Sequence, residues 1–425
     1  MGKYEETLDW MFKQLPMFQR QGPIALKLDL SRINKMMDLL GNPHQDLPFI
    51  HIAGTNGKGT TGHIIASILQ ASGFQVGMYT SPHYVDFRER IKINGELIDQ
   101  TFIIDFVDQN KTAFEAIQPS FFEWTFALSI SYFKAKSPDF IVLETGMGGR
   151  LDSTNVVDPL ISLITNIGYD HQQFLGDTLV EIAFEKGGII KPKRPVVIGE
   201  RQNEIQYVFE QLASEHQSKL VYADQLIQVS VSPSSYDITG PGWEVEAPSD
   251  IKGPFAHKNI QSALACLQVV QDSYPELFKL TERNVKQGLS SVATHTHYIG
   301  RWMQISDNPL VIMDSAHNLD GIKAVLERIE NLNQGQLHIV LATVGDKDAS
   351  KILQLFPKTA KYYFTQAKIP RAKSADLFQQ EGALLGLMGN SFDQSKEAYQ
   401  TALKTAQKED TVGVLGSVFL IAELL

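Results

Sequence analysis

The sequence predicts an α/β protein: an N-terminal phosphate-loop domain with a mostly parallel sheet plus a small β-rich portion, and a smaller C-terminal doubly wound α/β domain. Two observations carry this expectation. Short, almost wholly apolar runs alternate with helical patterns, as in parallel sheets covered on both faces. Each of the first four runs then ends on a turn rich in glycine, hydroxyl or charged groups. In open parallel sheets, ligands bind beyond those strand ends.

The first run is Phe49–Ala53. It leads into Gly54-Thr55-Asn56-Gly57-Lys58-Gly59-Thr60, after which Ile64, Ile65, Ile68 and Leu69 recur at helical spacing. Strand, glycine-rich turn, lysine, hydroxyl and helix make up the grammar of a phosphate-binding loop. Backbone N–H groups would close around phosphate oxygens, Lys58 would reach the terminal phosphates, and the Thr60 hydroxyl is placed for Mg²⁺. The spacing departs from the common pattern, since Ile52 stands where its first glycine would be and Gly59 follows the lysine. An ordinary strand-to-helix turn is the competing reading.

Further strands are expected over Val76–Thr80, Phe140–Glu144, Leu160–Asn166 and Pro195–Gly199, with helices between them, including Phe121–Lys134 and Thr178–Glu185. The loaded turns are Ser81-Pro82-His83, Thr145–Asn155 and Ile167–His171. Over 225–250, Val229, Val231, Tyr236, Ile238, Trp243 and Val245 lie among Ser, Pro and Gly, a pattern of short antiparallel strands. A helix follows over about Lys258–Asp272. The polar stretch Thr294–Gly300 reads as a junction, dividing the chain into domains 1–296 and 297–425. Beyond it, strands are expected at Leu310–Asp314, Leu337–Ala342, Tyr362–Thr365 and Thr411–Leu415. Helices are expected near 321–331, 349–355, 374–385, 395–407 and 418–425.

Composition narrows the function. The net charge is −10, which disfavours nucleic-acid binding and requires local cations to hold any anionic ligand. No apolar run approaches a membrane span, and an N-terminus carrying Lys3, Glu5, Glu6 and Asp9 does not resemble a secretory leader. The single cysteine, Cys266, sits among Ala263, Leu264, Ala265 and Leu267, which reads as a buried thiol and excludes an internal disulfide. A cytoplasmic protein is expected.

Several residues carry chemistry. Glu144 ends an apolar strand, where an unpaired carboxylate is costly and a cation such as Mg²⁺ would offset the cost. Ser81 ends the neighbouring strand and has a hydroxyl oxygen for the same ion. Thr145–Asp152 holds three glycines in four places, with Arg150 as a charged clamp. Asp170-His171 closes the next loaded turn. Lys186 ends a helix, and physics alone favours a role opposite the helix dipole. In the second domain, Asp314 at a strand end has the place of an acid that binds ribose, His317 after it has a ring that could stack on or bond the base, and Gly300-Arg301 puts a cation at the junction.

The segments Gly54–Thr60, Thr80–Asn94 (TSPHYVDFRERIKIN), Glu144–Asn155 (ETGMGGRLDSTN), Asp170–Gly176 (DHQQFLG) and Glu185–Lys191 (EKGGIIK) together resemble the motif series of folylpolyglutamate synthases and their near twins, the dihydrofolate synthases, in the Mur ligase superfamily. His257-Lys258-Asn259, Gly300-Arg301, Asp314–Asn318 and Gly416-Ser417-Val418 extend the resemblance along essentially the whole chain. It implies an ATP-dependent carboxylate–amine ligase. ATP would phosphorylate a carboxylate, and the amine of L-glutamate would displace phosphate from the acyl phosphate. By resemblance, Gly54, Thr55, Asn56, Gly57, Lys58, Gly59 and Thr60 cradle the phosphates. Ser81 and Glu144 hold one Mg²⁺. His171 and Lys186 hold a second, with Lys186 carbamylated so that it ligates as an anion. Asn259, Arg301, Asp314 and His317 contact ATP across the cleft, and the folate-like substrate lies near His83 and Tyr84, with Arg150 close by. The partners implied are ATP, L-glutamate and a reduced folate or dihydropteroate, acting on a monomer.

Three positions depart from the family pattern. Gly187 replaces a usual alanine, Ser315 a usual glycine, and Thr60 a frequent serine. Two rival functions remain: a related ligase acting on a cell-wall precursor, and a nucleotide-dependent switch or transport ATPase that forms no bond. The Arg88–Asn94 stretch and the two-domain length favour folate over a cell-wall substrate. Product analysis separates a ligase from an ATPase.

Overall fold

A computed structural model describes residues 2–17, 29–344 and 349–425 of the chain. Eight strands form the first sheet: β1 (Phe49–Ala53), β2 (Val76–Tyr79), β3 (Ile91–Ile93), β4 (Glu96–Leu97), β5 (Phe140–Glu144), β6 (Ile161–Ile164), β7 (Val196–Ile198) and β8 (Leu220–Tyr222). Their order is β4-β3-β2-β5-β1-β6-β7-β8. The six strands from β2 to β8 in that order run parallel, and the two pairings at one edge, β2–β3 and β3–β4, are antiparallel. The expected mostly parallel sheet is therefore present, and all five strands read from apolar runs belong to it. β3, β4 and β8 are additions: they are two or three residues long, too short to leave a distinct run.

The side chains of each strand divide by parity between two cores, as a period of two requires. Ile50, Ile52, Phe140 and Val142 face one cluster, with Ile64 and Ile68 of the helix Lys58–Ala71 and Ile260 and Leu264 of the helix Ala256–Ser273. Phe49, Ile141 and Leu143 face another, with Trp124 and Phe126 of the helix Phe121–Lys136 and Met11 of the helix Lys3–Gln14. The helix Lys58–Ala71 is buried from Gly59 to Leu69, which explains why its apolar residues surround it instead of forming one stripe. Strands β9 (Gln228–Val231), β10 (Tyr236–Gly240) and β11 (Trp243–Ala247) form a separate antiparallel sheet, the β-rich portion.

The C-terminal domain has six strands: β12 (Met303–Asp307), β13 (Leu310–Met313), β14 (Leu337–Leu341), β15 (Lys361–Thr365), β16 (Gly389–Phe392) and β17 (Thr411–Leu415). Their order is β12-β13-β17-β14-β15-β16, parallel except for β12. Ile312, Ile339 and Leu341 pack on one face, and Val311, Met313 and Val340 on the other, as a doubly wound sheet demands. β12 and β16 are edge strands with mostly half-buried or exposed residues, so no apolar run announced them. Among the described residues, no helix is long and apolar enough to cross a membrane.

Candidate active site

The site begins where β1 ends. Gly54 has φ +147 and Gly57 has φ +85, both outside the range that L side chains adopt readily. A Cβ on Gly57 would also lie 2.3 Å from Asn259 Oδ1. Conformation and close approach therefore both require glycine at this turn. The loop is braced from β6: Thr55 N–H donates to the Asn166 carbonyl at 2.9 Å, Asn56 N–H to Asn166 Oδ1 at 2.8 Å, and Thr165 Oγ1 to the Asn56 carbonyl at 2.7 Å. Helix Lys58–Ala71 starts immediately after it, so its first N–H groups and positive dipole end point at the loop.

Two lysines converge on one carbonyl. Lys58 Nζ folds back to donate to the Gly54 carbonyl at 2.9 Å and the Thr55 carbonyl at 3.4 Å. Lys186 Nζ, from the end of the helix Leu179–Gly187, donates to the same Gly54 carbonyl at 2.9 Å. Burial lowers the pKa of both amines. For Lys186 the Lys58 charge adds to burial, and the result is about 7. The helix end carrying Lys186 also abuts Leu212, whose Cδ1 would lie 2.4 Å from a Cβ on Gly187.

Acids face these amines. Glu144, ending β5, is 3% exposed, and one oxygen accepts from Ser81 N–H at 3.3 Å. Burial pushes its pKa up, and the neighbouring Lys58 and Arg301 oppose that rise. Asp152 is also buried; it accepts from Met147 N–H at 2.8 Å, Thr154 N–H at 3.0 Å and Thr154 Oγ1 at 2.6 Å. Asp170 Oδ1 accepts from His171 N–H at 3.0 Å, where His171 holds the left-handed conformation at φ +51. Asp170 Oδ2 lies 3.6 Å from His317 Nε2 of the other domain.

The C-terminal domain closes the site. Asp314, just after β13, accepts from Trp302 N–H and Ala316 N–H, each at 2.7 Å. These bonds fix the two loops that hold Arg301 and His317. The Arg301 guanidinium packs on the phosphate loop, with Nη1 3.3 Å from the place a Gly59 Cβ would take. Asn318 Nδ2 donates to Asn56 Oδ1 at 3.0 Å, and Tyr298 OH meets Thr60 Oγ1 at 2.9 Å.

One cleft of about 420 Å³ collects these groups, a volume suited to a small-molecule ligand. Gly54, Thr55, Asn56, Gly57, Lys58, Gly59, Thr60, Ser81, Glu144, His171, Lys186, Asn259, Arg301, Asp314 and His317 all line it. His83, Tyr84 and Arg150 do not. His83 Nδ1 accepts from Arg90 Nε at 2.7 Å and its ring lies against Phe12 and Phe87. Tyr84 enters the C-terminal domain, and Arg150 reaches out to Glu185 Oε1 at 2.7 Å. Adjacency in sequence to Ser81 and Gly149 does not bring these three side chains into the cleft lining. Sequence reasoning passed over Asp152, Asp170 and Asn318, although all three stand within quoted motifs. It also passed over the apolar part of the cleft lining, which includes Met17, Pro82, Phe121, Phe122 and Met147. Nothing in those residue types separates a ligand wall from core.

Among the described residues, no group of three His, Cys, Asp or Glu side chains is placed to hold a metal. Ser81 and Glu144 suit an ion that arrives with nucleotide, because Mg²⁺ is commonly held by one or two carboxylates together with phosphate oxygens and water.

Comparison with known proteins agrees with this geometry. A model of the Mur ligase middle domain matches residues 52–267, and one of the Mur ligase glutamate ligase domain matches residues 300–418. The dihydrofolate synthase/folylpolyglutamate synthase of Buchnera aphidicola subsp. Schizaphis graminum is 30% identical over 431 residues, covering 100% of this chain and 98% of that protein. A probable bifunctional folylpolyglutamate synthase/dihydropteroate synthase of Haloferax volcanii is 28% identical over 99% of this chain, but the chain spans only 50% of its length. Escherichia coli FolC in complex with DHPP and ADP superposes with a TM-score of 0.87 at 27% identity, covering 99% of this chain and 96% of that one. A bifunctional folylpolyglutamate synthase/dihydrofolate synthase with Mn, AMPPNP and L-glutamate bound has a TM-score of 0.85 at 26% identity, covering 100% and 97%. The chain belongs to the folylpolyglutamate synthase/dihydrofolate synthase family of the Mur ligase superfamily.

Proposed function

We infer that this chain is an ATP-dependent ligase that adds L-glutamate to the γ-carboxylate of a reduced folate through an acyl phosphate. The observation that carries the reading is a single cleft with two unlike kinds of lining: the glycine loop with Lys58, Glu144 and Arg301, and apolar residues that include Phe121, Phe122, Met17 and Pro82. The first suits a polyphosphate and the second a flat aromatic ring. The relatives' complexes with ADP, AMPPNP, Mn, L-glutamate and DHPP support the same assignment of ligands.

A carboxylate oxygen of the folate attacks the γ-phosphorus of ATP, and ADP leaves. The amine of L-glutamate then attacks the acyl carbon, loses a proton, and expels inorganic phosphate that retains the attacking oxygen. Lys58 and Arg301 neutralise charge as the anionic carboxylate approaches the polyphosphate, the main task in phosphoryl transfer. The contacts of Asn318 with Asn56 and of Tyr298 with Thr60 hold the second domain over the loop, which keeps water from the acyl phosphate. Mg²⁺ held by Ser81 and Glu144, with a second ion at His171 and Lys186, would supply further neutralisation.

Carbamylation of Lys186 forms a bond from Nζ to the carbon of CO₂ with loss of a proton, and needs the neutral amine. Burial and a pKa of about 7 make that amine available near neutrality. We propose a monomer, since one chain supplies both walls of the cleft, and the cytoplasm as its location. A second activity, joining L-glutamate to dihydropteroate, is favoured by relatives named for both reactions. The test is glutamate-dependent ADP release with tetrahydrofolate and dihydropteroate supplied separately. Release with tetrahydrofolate is expected. Release with dihydropteroate alone would replace the first activity by the second, and release indifferent to glutamate would overturn both.

A further inference from the structure

Tyr84 starts in one domain and ends in the other. It follows β2 by five residues and Ser81 by three. Its ring packs against the hydrophobic cluster of the C-terminal domain that includes Val311 and Met313. Its hydroxyl lies 3.0 Å from Ser315 Oγ. Gly300 makes room for the ring: a Cβ there would fall 1.9 Å from Tyr84 Cζ. The Gly300 carbonyl in turn accepts from Ser315 N–H at 3.1 Å. Both sides of the contact are thus built around the phenol, and the hydroxyl partner exists only because serine stands at 315.

The other end of the same loop is stiff. Tyr84 N–H donates to Glu89 Oε2 at 2.7 Å, while Val85 and Asp86 N–H donate to Glu89 Oε1 at 2.9 and 2.7 Å. Ser81 N–H holds Glu144 Oε2 at 3.3 Å. Thr80 N–H donates to the Arg90 carbonyl at 3.0 Å and His83 Nδ1 accepts from Arg90 Nε at 2.7 Å, so the Glu89-Arg90 pair braces both sides of Ser81 and a shift of Tyr84 reaches it.

We propose that Tyr84 is a positioning residue which, through Ser315, ties the Ser81–Glu144 pair to the orientation of the C-terminal domain. The pair takes its working arrangement only when that domain sits over the phosphate loop. Phosphoryl transfer is thereby confined to the state that shields the acyl phosphate. This rests on the ligase reading above. It assigns Tyr84 a task on the domain boundary instead of in the substrate pocket.

The test uses the full chain with Tyr84→Phe, Ser315→Ala and the double substitution. Tyr84→Phe keeps the packed ring and removes only the hydroxyl. Amide product and ADP are measured together with Mg-ATP, tetrahydrofolate and L-glutamate. In parallel, spin labels at Ser214→Cys and Lys404→Cys, both exposed, report the interdomain distance without ligands, the native Cys266 being buried. Each single variant is expected to lower the amide-to-ADP ratio about two- to tenfold, the size of one lost hydrogen bond, and to broaden the distance distribution. The double variant should match either single one, since both remove the same bond. Unchanged ratios in the single variants would overturn the proposal, whether or not the distances broaden. So would a double variant whose loss is the product of the two single losses. A wild-type protein that makes no amide would overturn the ligase reading instead, and unchanged label distances in the variants would then still refute the tie between the domains.

Discussion

The charged and the aromatic parts of the cleft lining are built by different rules. In the charged part, Lys58, Glu144 and Asp314 stand at or beyond the ends of parallel strands and are withdrawn from water, while His171, beyond β6, is half-buried. In the aromatic part, Phe121 and Phe122 open a helix whose start is set by a capping box, with Ser120 Oγ accepting from Glu123 N–H at 3.2 Å and Ser120 N–H donating to Glu123 Oε2 at 2.7 Å. The first part works by electrostatics, so a single substitution should remove most of the activity. The second works by shape and burial, so losses there should be graded and confined to one substrate.

The largest effect is expected from Lys58→Ala. Removing a charge aimed at the transferring phosphoryl group should cost about 10²- to 10³-fold in turnover, with an unchanged circular dichroism spectrum. Near-normal ADP formation would detach the loop from the chemistry. Glu144→Ala and His171→Ala come next. Both should shift the Mg²⁺ activation curve to higher concentration, and a variant whose titration is unchanged would lose its place at the metal.

Lys186 sharpens the comparison, because its proposed charge changes sign. Lys186→Ala should impair turnover, with partial recovery in added acetate, whereas Lys186→Arg should give no recovery because it keeps the cation. A fully active Lys186→Arg protein would return the residue to a helix-end role. Its pH dependence is set by direction. The amine titrates near 7 when folded, against its ordinary 10.5. Between those values the unfolded chain binds the extra proton, so this group makes stability rise with pH from about 7 to 10.5. In bicarbonate-free buffer, Lys186→Met should flatten the rise of melting temperature over that window, and an identical pH slope would count against the lowered pKa.

The smallest effect is expected in the aromatic part of the cleft lining. Phe122→Ala should raise KM for tetrahydrofolate about tenfold and leave KM for ATP unchanged, the mark of binding lost equally from ground and transition states. Equal changes in both KM values would place Phe122 in the scaffold and blur the distinction between the two parts.

The same contrast explains what was legible in the sequence. The sheets were readable because a strand buried on both faces, such as Phe140–Glu144, leaves an unbroken apolar run. β3, β4, β12 and β16 were not, because short or edge strands leave no such run. The chemistry at strand ends was readable because a lysine or carboxylate beside an apolar run is conspicuous. Asp152 and Asp170 stand inside motifs dominated by glycines and a histidine, and an acid in a polar loop carries no mark of its own in the sequence. The directions of Tyr84 and His83 were not legible, because side-chain direction in a loop is set by contacts such as Ser315 and Arg90. Phe122 was unreadable in principle, since an aromatic residue in a helix is far more often core than ligand wall.

The most direct measurement is the fate of the carboxylate oxygen. Tetrahydrofolate labelled with ¹⁸O in its γ-carboxylate is incubated with the protein, Mg-ATP and L-glutamate, and the inorganic phosphate is analysed by mass spectrometry. An acyl phosphate requires one labelled oxygen to pass into phosphate for each amide formed. Amide formation with unlabelled phosphate, or ADP release without amide, would contradict it.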